Sequence, residues 1–346
     1  MKTLKIGVVF ESNLNSGGAY QQSQSVAENM QNLLGARVLV NRYTTIKIGA
    51  GLAEKDSNIR YVGVNGLQRI LLNVRSSITN LRILNIIKFF KPNNCFEKTF
   101  IEDSIDIVYF LTPSGLSRHL ERLNFIITVW DLAHLQELEF PEVYELREFE
   151  RRQKKYLSVL SKASLVVVDS LLGKSNIIKF YGVSEERIIV QPFDIPRQNL
   201  CHIDKSKDDE VILGLNLKTH SYIFYPAQFW AHKNHRYIIE VLAYYNSQYP
   251  EDKLSVVFCG GDKGNLSFIK KIVRSLELND YVRFLGFVKD SQIVSLYRKS
   301  FALFMPTYFG PMNIPPIEAF FHKVPVIYSD LDFSKIFENC LLKCDL

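Results

Sequence analysis

Short apolar runs, each closed by a polar or glycine-bearing turn and followed by a helical stretch, recur along this chain. That repeat narrows its possible folds more than any single motif. The first run is 4–10, LKIGVVF, which leads through a polar loop with Gly17 and Gly18 into an apolar-periodic stretch at about 19–34. Others lie at 105–111, 125–129, 165–168 and 187–192, and then at 222–225, 254–259, 282–285, 301–305 and 324–328. Uninterrupted apolar runs of this length suit strands buried on both faces, and strands that alternate with helices imply parallel sheets. Between 196 and 214 the composition turns charged and polar, with Asp204, Lys205, Lys207, Asp208, Asp209 and Glu210. The expectation is an α/β protein of two Rossmann-like doubly wound parallel-sheet domains, 1–200 and 201–346, facing a cleft. A chain of 346 residues with 47% hydrophobic content can bury two such cores.

Residues 305–329, MPTYFGPMNIPPIEAFFHKVPVIYS, are the most informative unit of the series. One apolar run enters, another leaves, and between them lie a turn with Gly310, Pro311 and Asn313 and a helix opened by Pro315-Pro316. The first backbone N–H groups of a helix have no partner, so this turn can hold an anion such as a phosphate. Glu318 is either part of that site or a carboxylate complementing the helix dipole.

The formal net charge of +6 is modest and its basic residues are spread, which does not point to a nucleic-acid partner; an anionic substrate or anionic lipid surface fits. Cys95, Cys201, Cys259, Cys340 and Cys344 have no paired spacing, so neither a disulfide framework nor a zinc site is indicated. The chain opens directly on a strand-like run, and the expected location is cytoplasmic. At 67–91 apolar residues recur at helical spacing while every charge is basic: Arg69, Arg75, Arg82, Lys88 and Lys91. That is the pattern either of docking on the anionic inner face of a membrane or of an ordinary surface helix.

Open α/β sheets bind ligands beyond the carboxyl ends of their strands. Gly17 and Gly18 follow the first strand and either admit a ligand or form a helix-entry turn. Asp131 and His134 follow the run at 125–129, as site residues or as a cap and a turn residue. No G-x-G-x-x-G follows either half's first strand, which argues against a nicotinamide-dependent oxidoreductase.

Together these segments resemble the retaining GT-B glycosyltransferases of group 1, also called family 4. Glu318, followed by Ala319-Phe320 and Lys323-Val324-Pro325-Val326-Ile327, is similar to the second Glu of that group's Glu-x7-Glu region; Gly310 stands where the first Glu is usual. The stretch 225–235, YPAQFWAHKNH, resembles the loop with an Arg and a Lys directed at the donor diphosphate. Lys233 fills the Lys position and Gln228 that of the Arg. Gly17-Gly18 is similar to an early glycine pair, TVWDLAHLQELEFPEV at 128–143 to a segment usually reading His-Asp-Leu, and 284–288 to a strand whose end, near Val288, lies by the nucleotide base. Relatives continue past 336–338, so a shortened carboxyl end is expected.

The resemblance implies transfer of a sugar from a nucleoside diphosphate sugar to a hydroxyl of a saccharide or lipid-linked saccharide, with retained configuration and no metal or other cofactor. Catalytic roles fall to Asp131, His134, Lys233 and Glu318. Donor binding falls to Gly17, Gly18, Gln228, Lys233, Asn234, Val288, Gly310, Pro311, Met312, Asn313, Ile314 and Glu318, with Glu318 on the ribose, Lys233 on the diphosphate and the backbone of 311–314 on phosphate or sugar. Asp330-Leu331-Asp332 has metal-binding spacing but follows the last expected strand and reads as a turn. Gly310, Gln228 and Trp130, each a departure from the pattern, leave a non-catalytic protein that binds nucleotide sugar or supports an assembly as the alternative.

Overall fold

The computed structural model describes residues 3–11, 18–34, 37–46, 59–80, 94–195, 208–310, 312–331 and 342–344. Their contacts form two compact units. The first joins Met1–Trp130 with Arg151–Gln191, and the second joins Asp131–Glu150 with Pro192–Leu346.

In the first unit seven strands form one parallel sheet: β1 (Leu4–Phe10), β2 (Val38–Thr44), β3 (Ile59–Tyr61), β4 (Ile107–Phe110), β5 (Asn124–Val129), β6 (Leu165–Val168) and β7 (Ile188–Val190). Their order is β3-β2-β1-β4-β5-β6-β7. Side chains alternate along β1, so Ile6, Val8 and Phe10 enter one core with Ala27 and Val38, while Val9 is equally buried on the other face. That explains the unbroken apolar run: a strand covered on both sides has no water-facing positions.

The second unit contains β8 (Tyr222–Pro226), β9 (Ser255–Cys259), β10 (Val282–Phe284), β11 (Ala302–Met305), β12 (Val326–Ser329) and β13 (Leu342–Cys344), in the parallel order β10-β9-β8-β11-β12-β13. Both sheets reverse direction of growth once, between β1 and β4 and between β8 and β11. At such a switch point the loops leaving the two strands diverge and leave a crevice at their carboxyl ends. The two-sheet α/β expectation is therefore met.

Three details differ from the sequence expectation. Strands β2, β3 and β13 were not anticipated. The charged segment at 141–163, whose interleaved Glu and Arg or Lys read as one solvated helical face, forms three pieces, Pro141–Tyr144, Glu145–Arg147 and Glu148–Val159. Leu146 and Arg147 interrupt it with φ of 51° and 62°, left-handed values that crowd a Cβ and cannot continue a helix. Finally, a linear boundary at 200 does not describe the contact grouping, because Asp131–Glu150 leaves the first unit's run of sequence and joins the second. The basic stretch at 67–91 is helical over Gly66–Asn80; Arg82, Lys88 and Lys91 lie outside the described residues.

Candidate active site

The second unit's switch point gathers most of the expected residues. After β8 the chain passes through Ala227, Gln228, Phe229 and Trp230 into a single turn, Ala231–Lys233. Asn234 then adopts φ 51°, ψ 42°, and the helix His235–Gln248 begins. Asn tolerates the left-handed region better than most residues, so one residue suffices for the sharp change of direction.

The loop after β11 is stitched to this turn. Tyr308 N–H donates to His232 O at 2.9 Å, Thr307 Oγ1 donates to the same oxygen at 3.2 Å, and Ser329 Oγ donates to Thr307 O at 2.7 Å. The consequence is that Lys233 meets Asn313, eighty positions on: Lys233 Nζ donates to Asn313 Oδ1 at 2.9 Å. Asn313 Nδ2 in turn donates to Tyr328 Oη at 2.7 Å, and Tyr225 Oη donates to Lys233 O at 2.9 Å. Burial lowers the Lys233 ammonium to about pKa 8, against the opposing attraction of Asp131 and Glu142.

Asn313 precedes the helix Ile314–Phe321, whose Pro315 and Pro316 suit the first turn. Glu318 lies in the second turn, not the first, which removes the dipole-complement reading. It is buried and accepts a hydrogen bond from Tyr297 Oη at 2.9 Å. Met312 is buried in the same core and its sulfur accepts from Phe193 N–H. Gly310 has φ 138°, open to glycine and strained for other residues.

The remaining expected residues are placed as follows. Gln228 Oε1 accepts from Trp230 Nε1 at 3.2 Å. Gly260, with φ 147°, approaches this loop so closely that a Cβ on it would stand 2.3 Å from Ala227 O. Val288 follows β10 and packs partly on the core. Asp131 Oδ1 accepts from Ala133 N–H at 2.9 Å, an Asx turn one residue ahead of the helix cap Leu132, while its charge favours the Lys233 ammonium. His134 is fully buried, 5.8 Å from Phe149 between ring centres, so its ring has no open face. Gly18 starts the helix Gly18–Leu34 in the first unit; Gly17 and Pro311 lie outside the described residues.

Three further residues, Glu142 and His232 here and Glu11 in the first unit, were not among the expected ones. Glu142 accepts from the backbone N–H of His232 at 3.0 Å and also bonds its ring Nδ1. The His232 ring stacks on Phe309 at 4.0 Å and 18°. Burial pushes this imidazole down to about pKa 4 and outweighs the carboxylate, so the ring is neutral and donates through Nδ1; burial raises the Glu142 carboxyl, but the bonds from His232 outweigh it and the net shift is downward. In the first unit, Glu11 directly follows β1 as a carboxyl raised by burial, with a hydrogen bond to Ser114 opposing. An acid directly after β1 is readable; its burial depends on residues a hundred positions away.

Two nearby strand ends thus present a cation, an amide and a helix N-terminus together, a constellation suited to a phosphorylated ligand. Residues 209–335 match the family of group 1 glycosyl transferases. The chain is 29% identical over 193 residues to the O-antigen chain mannosyltransferase RfbU of Salmonella typhimurium, covering 54% of this chain and 50% of that protein. The chain therefore spans about half the length of that relative. Among solved structures, Anabaena HepE in complex with UDP and glucose superposes with a TM-score of 0.68 at 16% identity, over 96% of this chain and 82% of that one. WaaG, a glycosyltransferase of lipopolysaccharide biosynthesis, gives 0.66 at 14% identity, over 98% and 86%. The fold is that of the GT-B glycosyltransferases. Over residues 209–335 the chain is similar to group 1 of those enzymes.

Proposed function

We propose that the protein transfers a hexosyl or deoxyhexosyl group from a nucleoside diphosphate sugar to a hydroxyl of a saccharide or lipid-linked saccharide, with retained anomeric configuration and without a metal. The observation that carries this reading is the junction of Lys233 with Asn313 at 2.9 Å, which puts a cation at the N-terminus of the helix Ile314–Phe321. A departing nucleoside diphosphate gains negative charge as the glycosidic bond breaks, and a fixed ammonium and oriented backbone N–H groups stabilise that charge more in the transition state than in the substrate. Glu318 is assigned to the ribose and Asp131 to the transferred sugar or acceptor. The similarity to an O-antigen mannosyltransferase supports a polysaccharide acceptor.

Transfer measured with a panel of nucleotide sugars, with and without a metal chelator, tests the reading. Turnover that survives chelation and drops at least about a hundredfold in Lys233→Ala is expected, the size of effect that loss of one charge-stabilising donor has elsewhere. Wild-type rates in that variant remove the assignment. Nucleotide-sugar binding without any turnover would instead favour a non-catalytic role, for which Gly310 and Gln228 in place of charged side chains are the motive.

The acceptor side of the reading includes a membrane surface. On the helix Gly66–Asn80, Leu67, Ile70, Leu71 and Val74 are exposed, at positions that share one helical face. Arg75 is held by Glu121 through two bonds of 2.6 and 2.7 Å, which leaves the apolar stripe rather than that cation to meet lipid. Among the described residues no helix is long and apolar enough to cross a membrane. Co-sedimentation with anionic vesicles, lost in Ile70→Glu, is the expected result; equal pelleting of the variant refutes docking by this face.

A further inference from the structure

We infer that Asn313 is the positioning residue for the Lys233 ammonium, and that Gly310 is glycine so that the Asn313 amide can occupy the space above it. The inference rests on the reading of Lys233 as a diphosphate ligand and goes further by assigning the side chain that fixes it.

Three contacts carry the argument. A Cβ on Gly310 would stand 2.6 Å from Asn313 Nδ2 and 3.1 Å from Oδ1, so a side chain at 310 and the present amide position exclude each other. The amide is buried and bonded at both ends, with Lys233 Nζ donating to Oδ1 and Nδ2 donating to Tyr328 Oη. Tyr328 is itself fully buried, which leaves the amide little freedom to rotate. An ammonium has three donors and a flexible stem; one neutral acceptor at a fixed point sets its direction without cancelling its charge. A carboxylate there would also hold Lys233 but would oppose an incoming anion.

The titratable groups around this ammonium are Asp131 ahead of the helix Ala133–Gln136, Glu142 on the helix Pro141–Tyr144, and the neighbouring imidazoles of His232 and His235, both held neutral by burial; the Tyr225 hydroxyl bonds the Lys233 carbonyl and the Tyr328 hydroxyl the Asn313 amide. Asp131 and Glu142 attract the charge, whereas burial opposes it and is the larger effect. His232 is already neutral well below pH 7, and burial carries the Tyr225 and Tyr328 hydroxyls above their ordinary range. Lys233 is therefore the member of this set that changes charge near pH 8. Affinity for an anion at this point falls as pH rises through that value.

The experiment is calorimetric binding of UDP and GDP from pH 6 to 9.5 in the full chain, for wild type, Asn313→Ala, Asn313→Asp, Gly310→Ala and Lys233→Met, each with a far-UV spectrum to establish folding. The midpoint of the alkaline fall moves down in Asn313→Ala, which loses the acceptor, and up in Asn313→Asp, which gains a charge, by about one pH unit each. A one-unit downward move corresponds to about fivefold weaker binding at pH 8. Gly310→Ala reproduces the downward move, and a wild-type midpoint in that variant overturns the account of Gly310. A loosened fold would not move the midpoint in opposite directions for Ala and Asp. Equal midpoints in wild type and both Asn313 variants, with the fall abolished in Lys233→Met, overturn the inference and leave the diphosphate reading standing. Wild-type affinity and pH profile in Lys233→Met, or no nucleotide binding by the wild type, overturn both.

Discussion

Glu142 accepts two hydrogen bonds from His232, one from the backbone N–H and one from the ring, although the residues are ninety positions apart. With Phe140 5.4 Å from Phe309 and 5.3 Å from Tyr308, this pair fastens the segment Asp131–Glu150 onto the turn that carries Lys233. Both side chains are nearly out of water, at 11% and 8% exposure, so the bonds are little screened. Hydrogen bonds to a charged acceptor contribute roughly 1.5–3 kcal/mol. Glu142→Ala therefore lowers unfolding free energy by about 3 kcal/mol in urea titration, whereas Glu142→Gln keeps an acceptor oxygen and costs about 1 kcal/mol. Equal losses in the two variants would show that the acceptor oxygen is not what matters.

Glu318 and Tyr297 separate structural from ligand-binding roles. Tyr297 donates to Glu318 from an interior position, and burial first, then the carboxylate, raises the phenol well above its ordinary range. Removing that donor in Tyr297→Phe costs about 2 kcal/mol of stability, since a buried carboxylate loses a partner. Glu318→Gln still accepts from the phenol and retains most of that stability. If Glu318 also takes a ribose hydroxyl, the Gln variant binds nucleoside diphosphate more weakly while unfolding at nearly the wild-type urea concentration. Unchanged affinity in Glu318→Gln would confine Glu318 to structure.

How much of this was visible in the chain follows from what fixes each feature. Buried parallel strands need unbroken apolar runs, so β1 and β4 to β12 were readable from residue type alone. β2 is only partly buried through the middle of VLVNRYT, where Asn and Arg interrupt the apolar residues, and β3 has only three residues, so neither writes a buried run. Lys233, Asn313 and Glu318 were legible because a strand, a turn and a helix N-terminus occur in sequence order. Glu142 was not, because its partner is set by how an interrupted helical segment folds back, and the interruption at Leu146 and Arg147 has neither glycine nor proline to announce it. His134 shows the opposite failure: its place after a strand suggested an open site, while packing against Phe149 closed its ring away.

Gly260 tests the architecture of the loop that follows β8. A methyl there would lie 2.3 Å from Ala227 O and 2.8 Å from Gln228 N, both backbone atoms that cannot rotate aside, and the φ of 147° is itself unfavourable for alanine. Gly260 N–H also donates to Gly286 O at 2.9 Å, so the turn cannot simply retreat. Strain of this kind costs roughly 1–3 kcal/mol before the clash is counted. Gly260→Ala is expected to lose more than about 3 kcal/mol in urea unfolding, whereas Gly264→Ala, with open space around its Cβ, loses only the strain of its φ of 101°. Comparable losses at both positions would mean that close approach to Ala227 is unimportant.

Acid should destabilise the second unit well above the carboxylate range, and the direction follows from two buried imidazoles. Burial lowers His235 to about 3 and His232 to about 4, against about 6.5 in an unfolded chain. Both are depressed, so the folded state favours the neutral ring and the unfolded state takes up protons first as pH falls. Their contribution is whole above about pH 6.5 and declines below it, continuing until pH reaches the folded values. Burial lowers His322 of the same unit to about 4 as well, so between pH 6.5 and 4.5 three extra protons on the unfolded chain give a slope of up to about 4 kcal/mol per pH unit. His235 stacks on Phe229 at 4.3 Å and 22° and lies among Tyr225 and Phe258, an aromatic surround that accepts phenylalanine. His235→Phe accordingly lowers that slope by about a third, measured as urea unfolding free energy at half-unit steps of pH. A slope identical to wild type would mean that His235 takes up its proton equally well in both states.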